Sequence, residues 1–159
     1  MHHLALFDFD GTVTKKDSLI AFLKFYGGNL KFYVIFLLFG PVILYYMLVK
    51  KEGWRAKQAL LSWYLKGKPE NEVLTKGKTF GDLIIPRLIL KKAMEKIRQH
   101  QKEGHRVIIV SASLDIWLKD WALKNNLELI CTGLEFKNGV ATGRFSTPNC
   151  NGEEKVTRI

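Results

Sequence analysis

The sequence predicts an α/β fold, a doubly wound parallel sheet whose first two strands are separated by an all-helical insert. Three observations carry that prediction. Leu4-Ala5-Leu6-Phe7 is an unbroken apolar run that ends in Asp8-Phe9-Asp10-Gly11-Thr12, the form of a strand buried on both faces. Val107-Ile108-Ile109-Val110 repeats the form and ends in Ser111-Ala112-Ser113. Between them, Lys15 to about Ile85 reads as helices.

Sheets of this kind carry their chemistry just beyond the carboxyl ends of the strands. Asp8 and Asp10 fall at that edge, and side chains two apart on a pleated strand point the same way. Gly11 allows a tight departure and Thr12 can hold the turn by a local hydrogen bond. Two such carboxylates suit phosphoryl transfer with a hard cation: one attacks phosphorus or binds the metal, the other handles the leaving-group proton. A solvated strand-end turn uses the same residue types, so the pair of aspartates does not by itself separate a site from a turn.

At 159 residues the chain suits one domain, or a domain plus an insert, and its 47% hydrophobic and 25% charged residues exclude a disordered class. Cys131 and Cys150 match neither a zinc pair nor a disulfide framework, which implies free thiols. With no leader before the first strand, a cytoplasmic setting is expected. The net charge of +10 is uneven: residues 15–105 hold 18 Lys/Arg against 7 Asp/Glu. Such a surface favours a phosphorylated substrate, acidic lipid or nucleic acid, and a merely solvated helical face accounts for it equally well.

Within the insert, Asp17 or Ser18 can cap a helix through Ile20, Phe22, Leu23 and Phe25 that ends at Gly27-Gly28. Asn29 can cap a second, ending at Gly40-Pro41. A third runs from Val42 to about Lys51, stopped by Gly53, and a fourth covers Trp54 to Leu65. Gly67 closes that one, and Pro69 opens the next. Phe32 to Val49 holds 18 residues without a charge, bracketed by Lys31 and Lys50-Lys51. As one helix it would reach roughly 27 Å, close to a bilayer core. Gly40-Pro41 predicts a break at its midpoint, and a full crossing would separate Asp8 from the later site residues. The expectation is therefore a helical hairpin, buried or dipping into a membrane interface.

Arg87 to Glu103 has helical spacing and ends at Gly104. The second strand comes next, with Ser111 placed beside Asp8 if the two strands are parallel neighbours. Leu114 to about Asn125 is a helix burying Ile116, Trp117 and Trp121; Leu127 to Cys131 is a third strand. Asn138-Gly139 marks a hairpin. In the tail, Asn151 can cap a short helix led by Glu153-Glu154, whose Lys155 can reach the site as a fixed positive charge.

DFDGT after the first strand, VSAS after the second and Lys155 in GEEKV together resemble the haloacid dehalogenase-like phosphohydrolase superfamily, closest to its phosphoserine phosphatase-like branch. The resemblance implies a Rossmann-like core of residues 1–14 and 86–159 with a helical cap at 15–85. It implies Asp8 as nucleophile, forming an aspartyl-phosphate, and Asp10 as the acid and base. Ser111, Ala112 and Lys155 would bind phosphate, with Mg²⁺ on the Asp8 carboxylate and the Asp10 backbone carbonyl. A small phosphorylated substrate is expected and nucleic acid is not. The apolar insert directs the substrate expectation toward a lipid phosphate, with peripheral membrane contact. The superfamily's fourth motif, aspartates after the lysine helix, has no counterpart, since no Asp follows Asp120. That reads as a fragment or a shortened member, with weak metal binding, low turnover and self-association through an open edge at Leu4–Phe7. A second reading is a non-catalytic remnant or binding module working at a lipid surface.

Overall fold

The computed structural model describes residues 3–49 and 52–159. Met1, His2, Lys50 and Lys51 lie outside the described residues, and with them the expected end of a helix at Lys51. Strands β1 (Leu4–Phe7), β2 (Arg106–Leu114) and β3 (Glu128–Thr132) form a parallel sheet in the order β1-β2-β3. Phe7 pairs with Ile109, so the two apolar runs end side by side. β4 (Leu134–Lys137) and β5 (Val140–Phe145) form the expected hairpin, with Asn138 and Gly139 both at positive φ. Helices α1 (Ser18–Leu44), α2 (Gly53–Leu65), α3 (Glu70–Leu83) and the short α4 (Ile85–Leu88) separate β1 from β2. They are followed by α5 (Lys91–Lys102), α6 (Asp115–Lys124) and α7 (Glu153–Thr157).

The first strand is not buried on both faces. Ala5 is buried, but Leu4 and Leu6 remain 46% and 43% exposed. The order of the sheet explains this, because among the described residues β1 has a partner only on the β2 side. β2, central and paired on both edges, is buried from Val107 to Ser111. One face of β2 packs into the main core through Val107 and Ile109. The other, Ile108 and Val110, is covered by Ile130 and Cys150. Both cysteines are free thiols, and burial pushes the Cys131 thiol up to about 12.

The insert and the sheet share one aromatic core. Phe22 of α1 stacks on Trp117 of α6 with ring centroids 4.6 Å apart, and Phe80 of α3 meets both rings edge-on. Each of these buried rings contributes on the order of 1.5–3 kcal/mol by leaving water. α3 lies against α6 because two glycines let the backbones meet. A Cβ on Gly77 would strike the Ile116 carbonyl, and one on Gly81 would stand 2.7 Å from the Trp117 oxygen. Gly77→Ala should therefore lower stability by about 1–3 kcal/mol, outweighing the better helix propensity of Ala. Denaturant unfolding measures this; an unchanged midpoint would mean that the helices simply slide apart.

The expected break at Gly40-Pro41 does not occur. α1 bends earlier, at Gly28 (φ 78°, ψ 161°), where the sequence places the first helix stop, and then runs through Pro41 to Leu44. Proline removes one amide donor, which leaves the carbonyl one turn back without that partner. Here the residue one turn back, Leu37, is 80% exposed, so water can take its place. A π-helical turn, Tyr45–Val49, comes next, and α2 then returns along α1, with Trp63 against Phe39 at 4.2 Å. The hairpin expected within Phe32–Val49 is therefore not formed: that segment continues from α1 into the π-helical turn, and the hairpin is made instead by α1 and α2. Two smaller expectations also shift. α5 begins at Lys91 rather than Arg87, because Ile89 and Leu90 are extended against the loop after β1: Leu90 N–H donates to Val13 O at 2.8 Å and Lys15 N–H to Leu88 O at 2.9 Å. Asn151 does not cap α7; Gly152 occupies that position, with φ 57° and no side-chain cap.

Candidate active site

All five residues picked out from the sequence line one cleft of about 880 Å³ at the carboxyl ends of β1 and β2: Asp8, Asp10, Ser111, Ala112 and Lys155. The intervening Phe9 is fully buried against Trp121, ring centroids 5.0 Å apart, so the two carboxylates share the opposite side of the chain. The turn beyond them is held by Thr14 rather than Thr12. Its hydroxyl, fully buried, donates to the Lys16 carbonyl at 2.8 Å.

Asp8 is the open carboxylate, about 45% exposed. Its Oδ1 accepts from Lys155 Nζ at 2.7 Å and from Phe9 N–H at 2.8 Å. α7 thus delivers Lys155 as the sequence implies, although Asn151 does not cap the helix. Asp10 is the enclosed one. Its Oδ1 accepts from Ser18 N–H at 2.8 Å, while its Oδ2 accepts from Ser18 Oγ at 3.2 Å and from Ser113 Oγ. Burial raises the Asp10 carboxyl above the usual carboxylate range and Asp17 adds to the rise; the serine and amide hydrogen bonds pull the other way. The two carboxylates therefore differ: one is open and paired with a lysine, the other enclosed and readier than an ordinary carboxyl to hold a proton.

Ser111 is almost fully buried at the floor of the cleft, and its Oγ accepts from Ser113 N–H at 3.0 Å. That leaves its own hydroxyl proton to donate into the cleft. The Ala112 carbonyl, in contrast, is taken by Lys57 Nζ of α2. Lys57 brings the insert into the site. Burial lowers its ammonium to about 8, with Asp10 and Asp17 opposing the fall.

Ser18, Ser113, Lys57 and Asn149 are the site residues that sequence reasoning missed. Ser18 stood out only as a helix-cap candidate, and Ser113 repeats Ser111 at the two-residue period of a strand. Lys57 is the single lysine of α2 among the many of the insert, and nothing local distinguishes it. Asn149 lines the cleft with its side-chain oxygen buried and without a partner. That orphaned oxygen, in the same cleft as the half-open Asp8 carboxylate, adds to an all-oxygen donor set of the kind a hard cation such as Mg²⁺ takes. The residues present fit that ion.

A parallel sheet with paired aspartates beyond β1, a serine beyond β2 and a lysine from a late helix defines a class of hydrolase site. Residues 5–159 match the haloacid dehalogenase-like hydrolase family, and the chain belongs to it. Protein CicA of Caulobacter vibrioides is 31% identical over 159 residues, spanning 98% of this chain and 70% of that protein. A protein of unknown function from Bordetella pertussis Tohama I shares the fold with a TM-score of 0.81 at 24% identity, covering 99% of this chain and 72% of its own. A phosphoserine phosphatase solved as a phospho-aspartyl intermediate analogue aligns with a TM-score of 0.64 at 23% identity, over 99% of this chain and 72% of that one.

Proposed function

We propose that the chain is a Mg²⁺-dependent phosphomonoesterase that works through an aspartyl-phosphate on Asp8. The observation that carries this is the contrast between an exposed Asp8, paired with Lys155, and, two residues away, an enclosed Asp10 that is hydrogen-bonded by Ser18 and Ser113 and whose carboxyl burial raises above the usual range. Phosphoserine phosphatase, named among the structural relatives, supports the reaction class. Asp8 attacks phosphorus in line with the departing oxygen, and Asp10 gives that oxygen its proton. Asp10 then takes a proton from the water that cleaves the acyl-phosphate and returns the Asp8 carboxylate. Ser111 donates to a phosphoryl oxygen, and Lys155 offsets the charge gathered around Asp8. Asp8 and the Asp10 backbone carbonyl would hold the Mg²⁺, with Asn149 as a further oxygen donor, and the bound ion would supply neutralisation of phosphoryl charge. Residues 15–85 act as a cap over this site, contributing Lys57 and Trp54 to its wall. Hydrolysis of a generic aryl phosphate that requires Mg²⁺ supports the reading; none at any Mg²⁺ concentration returns the chain to the binding-module class.

Lys57 makes the reaction sensitive to pH. Its ammonium is lowered to about 8 in the folded protein, against 10.5 for an ordinary lysine. It is thus charged well below pH 8, half charged near that value and neutral well above it, so rising pH removes a cation from the proposed phosphate site. KM for a phosphate ester should rise above pH 8 with kcat less affected, and Lys57→Met should flatten that rise. The same sign governs stability: burial of the charged form disfavours folding below pH 8, and this is relieved between pH 8 and 10.5.

The hairpin directs the substrate toward lipid phosphates. Leu30, Leu37 and Leu38 are 81%, 80% and 65% exposed, with Tyr33, Phe36 and Leu44 beside them. α1 is long and apolar enough to cross a membrane by composition. However, Ser18 at its start and Lys57 on α2 both reach the one cleft, so the hairpin leaves and returns on the same side. We take it to lie in the interface of an anionic bilayer, with Lys24, Lys31 and Arg55 facing the headgroups. Sedimentation with vesicles containing acidic lipid should carry the protein down. Leu37→Glu with Leu38→Glu should weaken binding by at least about tenfold, since each buried leucine is worth roughly 1.5–3 kcal/mol. Equal binding by the double variant would remove the hairpin from the membrane.

A further inference from the structure

At the end of the sheet opposite the cleft, three imidazoles and a carboxylate meet. His100 lies in the last turn of α5, and Gly104, at φ 74°, turns the chain back so that His105 comes to rest beside it. The turn is held by its own backbone: Glu103 N–H donates to Gln99 O at 3.0 Å, Gly104 N–H to Gln101 O at 3.1 Å and His105 N–H to His100 O at 3.0 Å. The next residue, Arg106, opens β2 and donates its N–H to the His3 carbonyl at 3.0 Å. The cluster therefore stands on a fixed frame that joins α5, β2 and the residue before β1.

The two ring nitrogens face each other. His100 Nδ1 and His105 Nδ1 are 2.9 Å apart, one donating and the other accepting, and Glu103 Oε2 lies 3.5 Å from His105 Nδ1. One ligand atom from each of the three residues falls within 4.8 Å of the others. Phe7 closes one side, edge-on to His100 at 5.8 Å, and His3 stands against His105 at 4.9 Å. Both histidines are half-buried while Glu103 reaches solvent.

We propose that His100, Glu103 and His105 bind a divalent late transition-metal ion of the Zn²⁺ class. The proton shared between the two Nδ1 atoms occupies the place the ion takes. With metal–nitrogen bonds of about 2.0–2.1 Å, nitrogens 2.9 Å apart subtend about a right angle, and opening by a few tenths of an ångström gives the tetrahedral angle. Imidazole ligands favour Zn²⁺, Ni²⁺ or Cu²⁺ over Mg²⁺, so this site and the Asp8 cleft select different ions. Water completes the coordination on the open side of Glu103. The ion joins the end of α5 to the start of β2 and acts on stability, remote from the reaction.

Titration of the untagged full chain with Zn²⁺ by calorimetry tests this. One ion per chain with a micromolar or tighter Kd is expected, and a thermal midpoint raised by about 4–10 °C when Zn²⁺ exceeds Kd a hundredfold. His100→Gln and His105→Gln should each weaken binding by more than the about tenfold that changes around a ligand already produce. Asp8→Asn should leave it unchanged, which separates this site from the cleft and from the reading of the cleft as a phosphatase. Circular dichroism checks that the variants fold. Independently of any variant, Co²⁺ bound by the wild-type chain should give the visible bands of nitrogen and oxygen ligation. No Zn²⁺ uptake by the wild-type chain, or uptake that both glutamine variants retain and Asp8→Asn abolishes, would overturn the proposal.

Discussion

Asp8→Asn should abolish turnover, lowering kcat by about 10⁴-fold or more, because an amide cannot attack phosphorus and no other group can replace it. Asp10 is unavailable as a substitute: both of its oxygens are engaged by Ser18 and Ser113. The substitution should cost little stability. The Asp8–Lys155 pair is the main interaction lost, and with Asp8 about 45% exposed it belongs with surface ion pairs worth about 0–1 kcal/mol. Asparagine also keeps an oxygen for the Phe9 N–H. Ser111 and Lys155, the proposed phosphate-binding groups, stay in place, so a substrate should still bind, with its affinity altered far less than kcat. Acid-quenched protein should carry phosphate in the wild type and none in the variant, as read by intact-protein mass. A variant that turns over at the wild-type rate would end the nucleophilic role of Asp8.

The parts of this site that the sequence makes legible are those fixed by one strand or one turn. An apolar run ending in Asp8-Phe9-Asp10 places both carboxylates by the pleat alone, and the second run places Ser111 by the same rule. Two parallel neighbours then bring them together, as the Phe7–Ile109 register does. Lys155 is placed by its position on a late helix. The insert is less legible because its residues act at long range. Lys57 lies 55 residues from the carbonyl it meets, and only the packing of α2 determines that the helix's one lysine turns inward. The helix stop at Gly28 is legible since a glycine there can take positive φ. Pro41 misleads because its penalty depends on where the orphaned carbonyl faces. Burial of β1 on both faces presumes a neighbour on each side, which a run of four residues cannot report. Among the described residues, β1 is an edge strand with Leu4 and Leu6 uncovered.

Asp10→Asn should lower kcat by about 10²–10⁴-fold while leaving Asp8 able to accept a phosphoryl group slowly, the loss typical of a missing general acid and base. The fold has the means to accept the amide. Asparagine Oδ1 keeps the 2.8 Å bond from Ser18 N–H, and its Nδ2 then faces Ser18 Oγ and Ser113 Oγ. Those hydroxyls lie 2.7 Å apart and can rotate to accept instead of donate. Stability at neutral pH should hold or improve. Because burial raises the folded-state carboxyl above 3.8, the folded chain binds more protons than the unfolded one between the two values. The contribution of Asp10 to stability is therefore full below 3.8 and is lost as the pH rises through the folded value, which leaves a desolvated charge at pH 7. Asparagine carries no such charge. The variant should thus be a slow enzyme with an undiminished thermal midpoint, and its stability should depend less on pH across the acid range. For leaving groups that need no proton, such as nitrophenolate, the phosphorylation step should suffer less than for an alkyl phosphate. Pre-steady-state kinetics with the two substrate types reads this directly: equal losses for both would take the acid role away from Asp10.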